Sequence, residues 1–211
     1  PSNSSAASDV YKRQAYLDGI HPSVVMCRGY YTRTVLAAFD WDGKELKQRW
    51  VFDSNNPGCK DYAGQGNHNL RVGDVDGDGC DEIIYGSCAI DHNGKGLYTT
   101  KMGHGDAIHL THFDPSRKGL QVWDCHENKR DGSTYRDAAT GEVLFQIKDN
   151  TDVGRCMAAD IDPTQPGVEM WSVASGGIRN VKGEVVKDRV RGLSCNMAVW
   201  WDGDLLRELL D

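Results

Sequence analysis

From Ala15 onward the apolar residues come in short runs, separated by Asp-Gly, Asn-Gly and Asp-Pro pairs. Val35-Leu36-Ala37-Ala38-Phe39 passes through Trp41-Asp42-Gly43 into Leu46-Lys47-Gln48-Arg49-Trp50-Val51-Phe52. An Asp-Gly pair between β-prone runs signals a hairpin. The outline returns at Ala198-Val199-Trp200-Trp201-Asp202-Gly203, and more loosely around Asn93-Gly94 and Thr140-Gly141. A second pattern is an acidic loop that enters a strand directly. Asp74-Val75-Asp76-Gly77-Asp78-Gly79-Cys80-Asp81-Glu82 is followed at once by the β-forming run Ile83-Ile84-Tyr85. Fainter echoes follow at Phe113-Asp114-Pro115 with Gly119-Leu120-Gln121-Val122, and at Asp160-Ile161-Asp162-Pro163 with Gly167-Val168-Glu169. Aligning Asp76, Asp114 and Asp162 gives steps of 38 residues (76 to 114) and 48 residues (114 to 162). Several strands in each repeat of about 40–50 residues are the signature of propeller blades, so the expected fold is all-β, a partial β-propeller.

The acidic loop carries candidate chemistry. Asp74, Asp76 and Asp78 stand at alternate positions around tight glycine turns, an arrangement that wraps oxygen ligands around Ca²⁺. An EF-hand has a bidentate Glu at loop position twelve, where this chain has Tyr85; its acid, Glu82, stands at position nine. Cys80 occupies a position that needs only a backbone carbonyl, so its thiol does not weaken the site. Read without a metal, the same residues make a solvated acidic turn. Asp160 and Asp162, with Glu169 behind them, are candidates for a second cation, while the Asp-Pro pairs otherwise read as turns.

Composition narrows the function classes. At 211 residues one β domain accounts for the chain, and 24 glycines, above the usual ~7%, suit many tight turns. The net charge of −7, with basic residues scattered, argues against a nucleic-acid partner. No segment approaches the ~18 apolar residues of a membrane span. The seven cysteines, Cys27, Cys59, Cys80, Cys88, Cys125, Cys156 and Cys195, form no CxxC pair and have no zinc spacing, and they read first as small buried thiols. Which of them pair under oxidising conditions is open. Residues 1–14, PSNSSAASDVYKRQ, have no apolar core of a signal peptide and resemble translated adapter sequence, so we read them as a non-native, disordered tail. The C-terminal segment stops within a patterned run, and residues 15–211 read as an internal piece of a larger β domain.

Around the acidic loop and its first echo lies a polar cluster that a scaffold does not require. It comprises Gly64-Gln65-Gly66-Asn67-His68-Asn69, then Met102-Gly103-His104-Gly105-Asp106, then Asp124-Cys125-His126-Glu127. Glycine on both sides of His104 lets the backbone approach closely. Histidines and carboxylates brought in from separate segments outline a metal or acid–base site. Hydrogen-bonded structural histidines are the competing reading, strongest for His109; His92 and His112 read as turn residues, and His21 precedes a proline.

At these segments the chain resembles the rhamnogalacturonan lyases of polysaccharide lyase family 11. The matching runs are 24–34 (Val24 to Thr34, containing Arg28, Tyr30, Tyr31 and Arg33), 64–69, the Asp74–Glu82 loop, 102–107, and Asp152-Val153-Gly154-Arg155 to Asp162. The resemblance covers residues 20–211 in the family's order. It implies an eight-bladed propeller, of which this chain would supply about three to four blades, with several bound Ca²⁺ ions. It implies a secreted, periplasmic or cell-surface enzyme of pectin breakdown, monomeric at full length. The reaction implied is β-elimination at C4 of galacturonate in rhamnogalacturonan I, with the cation acting on the neighbouring carboxylate. The resemblance assigns His68, His104, Asp106 and Glu127 to an active-site calcium shell. It assigns Arg155, with His68 and His104, to catalysis, and Arg28, Tyr30, Arg33 and Asn67 to the sugar cleft. Guanidinium groups stay protonated, which favours Arg155 as a carboxylate clamp over a base. Because cleft parts lie upstream and downstream of this window, the isolated chain is expected to be inactive.

Two other readings remain. A non-catalytic calcium propeller of the integrin type explains Asp74–Glu82 but leaves the histidine segments idle. A glycoside hydrolase needs two acids facing one cleft about 5–10 Å apart, and no pair is singled out. A dockerin needs two full loops followed by helices, which the chain lacks.

Overall fold

The computed structural model of the chain describes residues 10–188 and 193–210. Among the described residues all regular structure is β apart from one 3₁₀ turn, Lys60–Tyr62. The chain divides into two compact units, one up to Gly105 and one from Asp106.

The first unit holds two four-stranded antiparallel meanders. One is β1 (Val10–Ala15), β2 (Ser23–Arg28), β3 (Val35–Trp41) and β4 (Leu46–Asp53). The hairpin expected at Asp42-Gly43 joins β3 to β4, with the Asp42 carboxylate accepting from the N–H groups of Lys44 and Glu45 at 2.9 and 3.0 Å. A register shift between Ala38 and Phe39 marks a bulge in this pair. β1 departs from expectation. Its residues 10–14 belong to the segment read as a disordered tail, yet it pairs with β2 in continuous register from Val10↔Arg28 to Ala15↔Ser23. Backbone pairing tolerates many sequences, which explains how so polar a run completes the sheet. Residues 1–9 of that segment lie outside the described residues.

The other meander of the first unit is β5 (Arg71–Gly73), β6 (Glu82–Tyr85), β7 (Cys88–Ile90) and β8 (Gly96–Thr99). Strands β6 and β7 are buried at every position, which is why Ile83-Ile84-Tyr85 reads as a continuous apolar run rather than an alternation. Leu17, Val25 and Leu36 share one core with Leu70, Ile83, Tyr85 and Ile90. The segment after β1 is clamped to the acidic loop: Asp81 N–H donates to Tyr16 O at 3.0 Å, and Tyr16 N–H donates to Asp81 Oδ2 at 2.7 Å.

The second unit holds the meanders β9 (Ile108–Thr111), β10 (Gln121–Cys125), β11 (Ser133–Asp137), β12 (Val143–Ile147) and β13 (Cys156–Ala159), β14 (Glu169–Ser172), β15 (Gly177–Arg179), β16 (Val185–Asp188), followed by the two-stranded β17 (Met197–Val199), β18 (Glu208–Leu210). Indole N–H groups tie successive sheets together: Trp123 Nε1 donates to Trp171 O at 3.1 Å, and Trp171 Nε1 to Ser194 O at 2.8 Å. Arg136 and Asp124 form a fully buried ion pair at 3.1 Å. The first strands of three successive meanders begin at residues 71, 108 and 156, steps of 37 and 48 that track the repeat of the acidic turns. All seven cysteines are thiols, four of them buried.

Candidate active site

The first unit contributes a cluster of four rings. His104 lies in the segment after β8, 7% exposed, and its Nδ1 donates to Gly66 O at 2.7 Å. That bond fixes the tautomer with the lone pair on Nε2, the arrangement of a metal-ligating histidine anchored by its other nitrogen. His68 lies one segment away, its backbone N–H donating to Gly105 O at 3.3 Å, and Asn67 bridges Gly105 in parallel. The two imidazoles sit at a centroid distance of 4.8 Å, edge to face, and a ring nitrogen of each comes within 4.8 Å of the other.

Local sequence explains this placement. Gln65 O accepts from Ser87 N–H at 2.8 Å, Gln65 Oε1 accepts from Gly103 N–H at 2.9 Å, and Ser87 Oγ donates to Gly103 O at 2.7 Å. The two histidine segments are thus cinched to the β6–β7 turn. Gly66 cannot be replaced: a Cβ there would stand 2.5 Å from the Tyr85 ring and 3.0 Å from Tyr30 Cα.

The second unit contributes Asp106, the half-buried Glu127 and Arg155. A carboxylate oxygen of Asp106 lies within 4.8 Å of one from Glu127. Arg155 Nη1 donates to Gly154 O at 2.8 Å and lies 3.5 Å from Asp106 Oδ2, with the Arg side chain 56% exposed. Gly154 packs so closely that a Cβ would meet Asp106 Oδ2 at 3.1 Å. Asp106 therefore pairs with the guanidinium of the exposed Arg155. His126 is wholly buried beside Thr134 Oγ1 at 2.9 Å, and burial pushes its pKa down, so it stays neutral. His109 is bonded to Cys156 O at 3.2 Å, a structural role.

The residues expected to line the sugar cleft differ in exposure. Tyr30 is 8% exposed and packed on both histidines, at centroid distances of 4.3 Å from His68 and 4.8 Å from His104. It braces the imidazoles. The exposed neighbour is Tyr31, which the sequence reading did not single out. Arg33 forms a bidentate pair with Asp53, holding the Asp53 carboxyl down at about 2, and Asn67 is fully buried. Arg28 is exposed at the end of β2.

The acidic loop has the features of a cation site. One oxygen from each of Asp74, Asp76 and Asp78 comes within 4.8 Å of the others. The carboxylates also order the loop: Asp74 accepts from Gly77 and Gly79 N–H at 2.8 and 3.0 Å, and Asp78 accepts from Cys80 N–H at 2.8 Å. Glu82 is buried, with Oε2 accepting from Val75 N–H at 2.9 Å and Oε1 making no hydrogen bond among the described residues. Burial, with the charges of Asp76, Asp78 and Asp91, pushes its pKa up to about 7. A buried carboxylate oxygen without a donor, beside three further carboxylates, fits a hard divalent cation. His92, read from the sequence as a turn residue, stands in that turn but also faces this group, its Nδ1 2.8 Å from Asp91, 3.3 Å from Asp78 and 3.5 Å from Glu82 Oε1.

Asp160 and Asp162 are less convergent. Glu169 Oε2 accepts from Ile161 and Asp162 N–H at 2.9 and 3.0 Å, and its Oε1 is buried without a hydrogen bond among the described residues. The Asp162 carboxylate, however, is engaged by Thr164 N–H and Oγ at 2.9 and 2.7 Å, which lowers its pKa. A converging acidic set that the sequence reading missed is Asp202, Asp204 and Glu208. Its signal was available: Asp202-Gly203-Asp204 with Glu208 repeats the spacing of Asp76-Gly77-Asp78 with Glu82, and Trp201 N–H donates to Glu208 Oε2 at 2.8 Å as Val75 does to Glu82.

The chain is similar to known proteins over nearly its whole length. The description "Rhamnogalacturonan lyase family 11, C-terminal domain" matches residues 8–211. The chain is 57% identical over 206 residues to the rhamnogalacturonan exolyase YesX of Bacillus subtilis (strain 168), covering 93% of this chain and 34% of that protein. It is 52% identical over 199 residues to the rhamnogalacturonan endolyase YesW of the same organism, covering 93% and 32%. The crystal structure of YesW superposes with a TM-score of 0.91 at 50% identity over 96% of this chain and 34% of that one. A rhamnogalacturonan lyase structure from Bacillus licheniformis gives 0.90 at 54% identity over 95% and 34%. The chain thus spans about a third of the length of these relatives.

Proposed function

The chain belongs to rhamnogalacturonan lyase family 11, and from that premise we propose that it is part of a lyase that cleaves the rhamnose–galacturonate backbone of pectin by β-elimination. The observation that carries the reading is the anchored histidine pair, with only Gly105 between His104 and Asp106 in the chain. In this reading His68 and His104 offer imidazole nitrogens, and Asp106 and Glu127 offer carboxylate oxygens, to one Ca²⁺. A bound cation would supply Lewis-acid stabilisation of the charge that gathers on the galacturonate carboxylate as a general base takes the C5 proton and the C4–O bond breaks. Arg155, exposed and steadied by Asp106, clamps that carboxylate and orients the sugar for departure of the C4 oxygen. The acidic loop at Asp74–Glu82 is read as a structural calcium site. The four-stranded meanders support reading the sheets as consecutive propeller blades, and a polymeric pectin substrate suits an enzyme at or beyond the cell surface.

The test is the absorbance of unsaturated uronate products when the full-length protein meets rhamnogalacturonan I, with and without a chelator. Chelator-sensitive growth of the signal is expected, with loss in the variants His104→Ala and Arg155→Ala. Retention on the polysaccharide without any such signal would make the protein a calcium-dependent binding module instead.

A further inference from the structure

Tyr31 lies in the loop between β2 and β3, 59% exposed. Its ring is tilted against His104 at a centroid distance of 4.2 Å, meets Tyr30 edge-on at 4.7 Å, and lies 6.3 Å from His68. The loop beneath it is fixed. Gly64 N–H donates to Thr32 O at 2.6 Å, Thr34 N–H donates to Ser54 Oγ at 2.9 Å, and Gly29 turns so tightly that a Cβ would strike Arg33 O at 1.8 Å. The ring is thus held in place with one side on the histidine cluster and much of its surface in water. Tyr30, the buried member, packs on both imidazoles, whereas Tyr31 meets His104 with one side and leaves much of its ring to solvent. Other exposed aromatics exist, among them Trp41, Trp201 and Trp200, the last covered by the Arg207 guanidinium at 3.8 Å. Among the described residues Tyr31 is the exposed ring that contacts the histidine pair.

The chemistry of the substrate class divides in the same way as the site. A backbone of alternating galacturonate and rhamnose presents a charged ring and then a neutral ring bearing a methyl group. The imidazoles, as donors or as ligands of a cation, suit the charged ring. An aromatic face, whose π-system carries partial negative charge, attracts C–H edges and the methyl of the neutral one. We propose that Tyr31 is a substrate-stacking residue, receiving the rhamnose ring next to the galacturonate held at the histidine pair. The assignment rests on the lyase reading for the identity of the sugar.

The experiment compares wild type, Tyr31→Ala and Tyr31→Phe in the full-length protein. Three readouts are followed: elimination kinetics on rhamnogalacturonan I, retardation in gels containing the polysaccharide, and the calcium-dependent rise in Tm. Loss of one stacked ring should raise KM about ten-fold in Tyr31→Ala and leave kcat within about two-fold, with Tyr31→Phe close to wild type. The calcium-dependent Tm should not move. An unchanged KM in Tyr31→Ala overturns the proposal. So does a fall in kcat accompanied by loss of the calcium effect, which would make Tyr31 a second brace of the histidines. Should the wild type yield no unsaturated product, the lyase reading fails by itself. Retardation then decides the stacking role: loss in Tyr31→Ala but not in Tyr31→Phe upholds it, whereas equal retardation, or none in the wild type, overturns it.

Discussion

The turn before β6 and the turn before β10 are built on one plan and differ at one atom. In the first, Glu82 Oε2 accepts from the N–H of Val75, seven residues back. In the second, Gln121 Oε1 accepts from the N–H groups of Phe113 and Asp114 at 3.0 and 3.2 Å. Both side chains are wholly buried and both cap the loop that leads into their strand. The second polar atom separates them. Gln121 Nε2 donates to Gly119 O at 3.0 Å, so the amide is satisfied at both ends. Glu82 Oε1 has no hydrogen-bond donor among the described residues and instead faces a group of carboxylates and His92. An amide closes its turn by itself; a carboxylate in the same place needs positive charge. The turn before β14 follows the carboxylate version, with Glu169 in the capping place. Capping chemistry therefore lets a repeated turn be kept in the fold with either an amide that closes it or a carboxylate that leaves one buried oxygen open.

The largest effect should come from converting the self-sufficient turn into the dependent one. Gln121→Glu places a carboxylate against Gly119 O, close to Asp114 and, among the described residues, outside every converging acidic set. An uncompensated buried charge should cost about 3 kcal/mol at neutral pH, read as a drop in the urea midpoint. Protonation at low pH should restore most of the loss. A variant as stable as wild type at pH 7, without added calcium, would show that the difference between the two turns carries no energetic weight.

The converse change is smaller and depends on conditions. Glu82→Gln keeps an oxygen for Val75 N–H and removes the charge. Stability without calcium should hold or rise, while the calcium-dependent increment, about 2.7 kcal/mol at a hundred-fold excess over Kd for one intact site, should vanish from this loop. The pH profile gives an independent check. The Glu82 pKa is raised from 4.5 to about 7 in the folded chain. Between these values the folded state keeps a proton that the unfolded state has lost, so calcium-free stability should fall as pH rises through that window. Saturating calcium, or Glu82→Gln, should flatten the trend. Thermal unfolding at pH 5 and pH 7, with calcium and with chelator, decides it; equal slopes in all samples would contradict the assignment.

Much of this plan was legible in the chain. Asp-Gly turns and the run Ile83-Ile84-Tyr85 announce β3–β4 and β6, because turn chemistry and apolar runs are local signals. The alignment of Asp76, Asp114 and Asp162 found three equivalent turns, but the capping residue, Glu82, Gln121 or Glu169, gains its meaning only from burial. The histidine pair was visible through its glycine-flanked segments. The choice between Tyr30 and Tyr31 was not, since adjacent residues in a tight loop differ only in which side the backbone turns to the histidines. The approach of Asp91 and His92 to Glu82 depends on the β7–β8 turn folding back, and the Arg33–Asp53 pair depends on the pairing of β3 with β4, neither of which is written in residue spacing.

The finest test lies between the two carboxylate-capped turns. Glu169 offers the same open oxygen as Glu82, yet Asp162 is drawn into a local bond with Thr164. If that bond is what weakens the second turn as a cation site, Thr164→Val should loosen it. The hydroxyl's loss should cost about 1 kcal/mol without calcium, since the Asp162 carboxylate keeps the Thr164 N–H. Part of that cost should return when calcium is added, because a carboxylate less committed to its own loop is freer to turn toward an ion. A gain of about 0.5 kcal/mol in the calcium-dependent increment, roughly a two-fold change in affinity, is the expected size. Calorimetric titration of Thr164→Val in a Glu82→Gln background isolates it from the first loop. An increment that does not grow would mean that the spread of Asp160 and Asp162, and not their hydrogen bonding, sets the two turns apart.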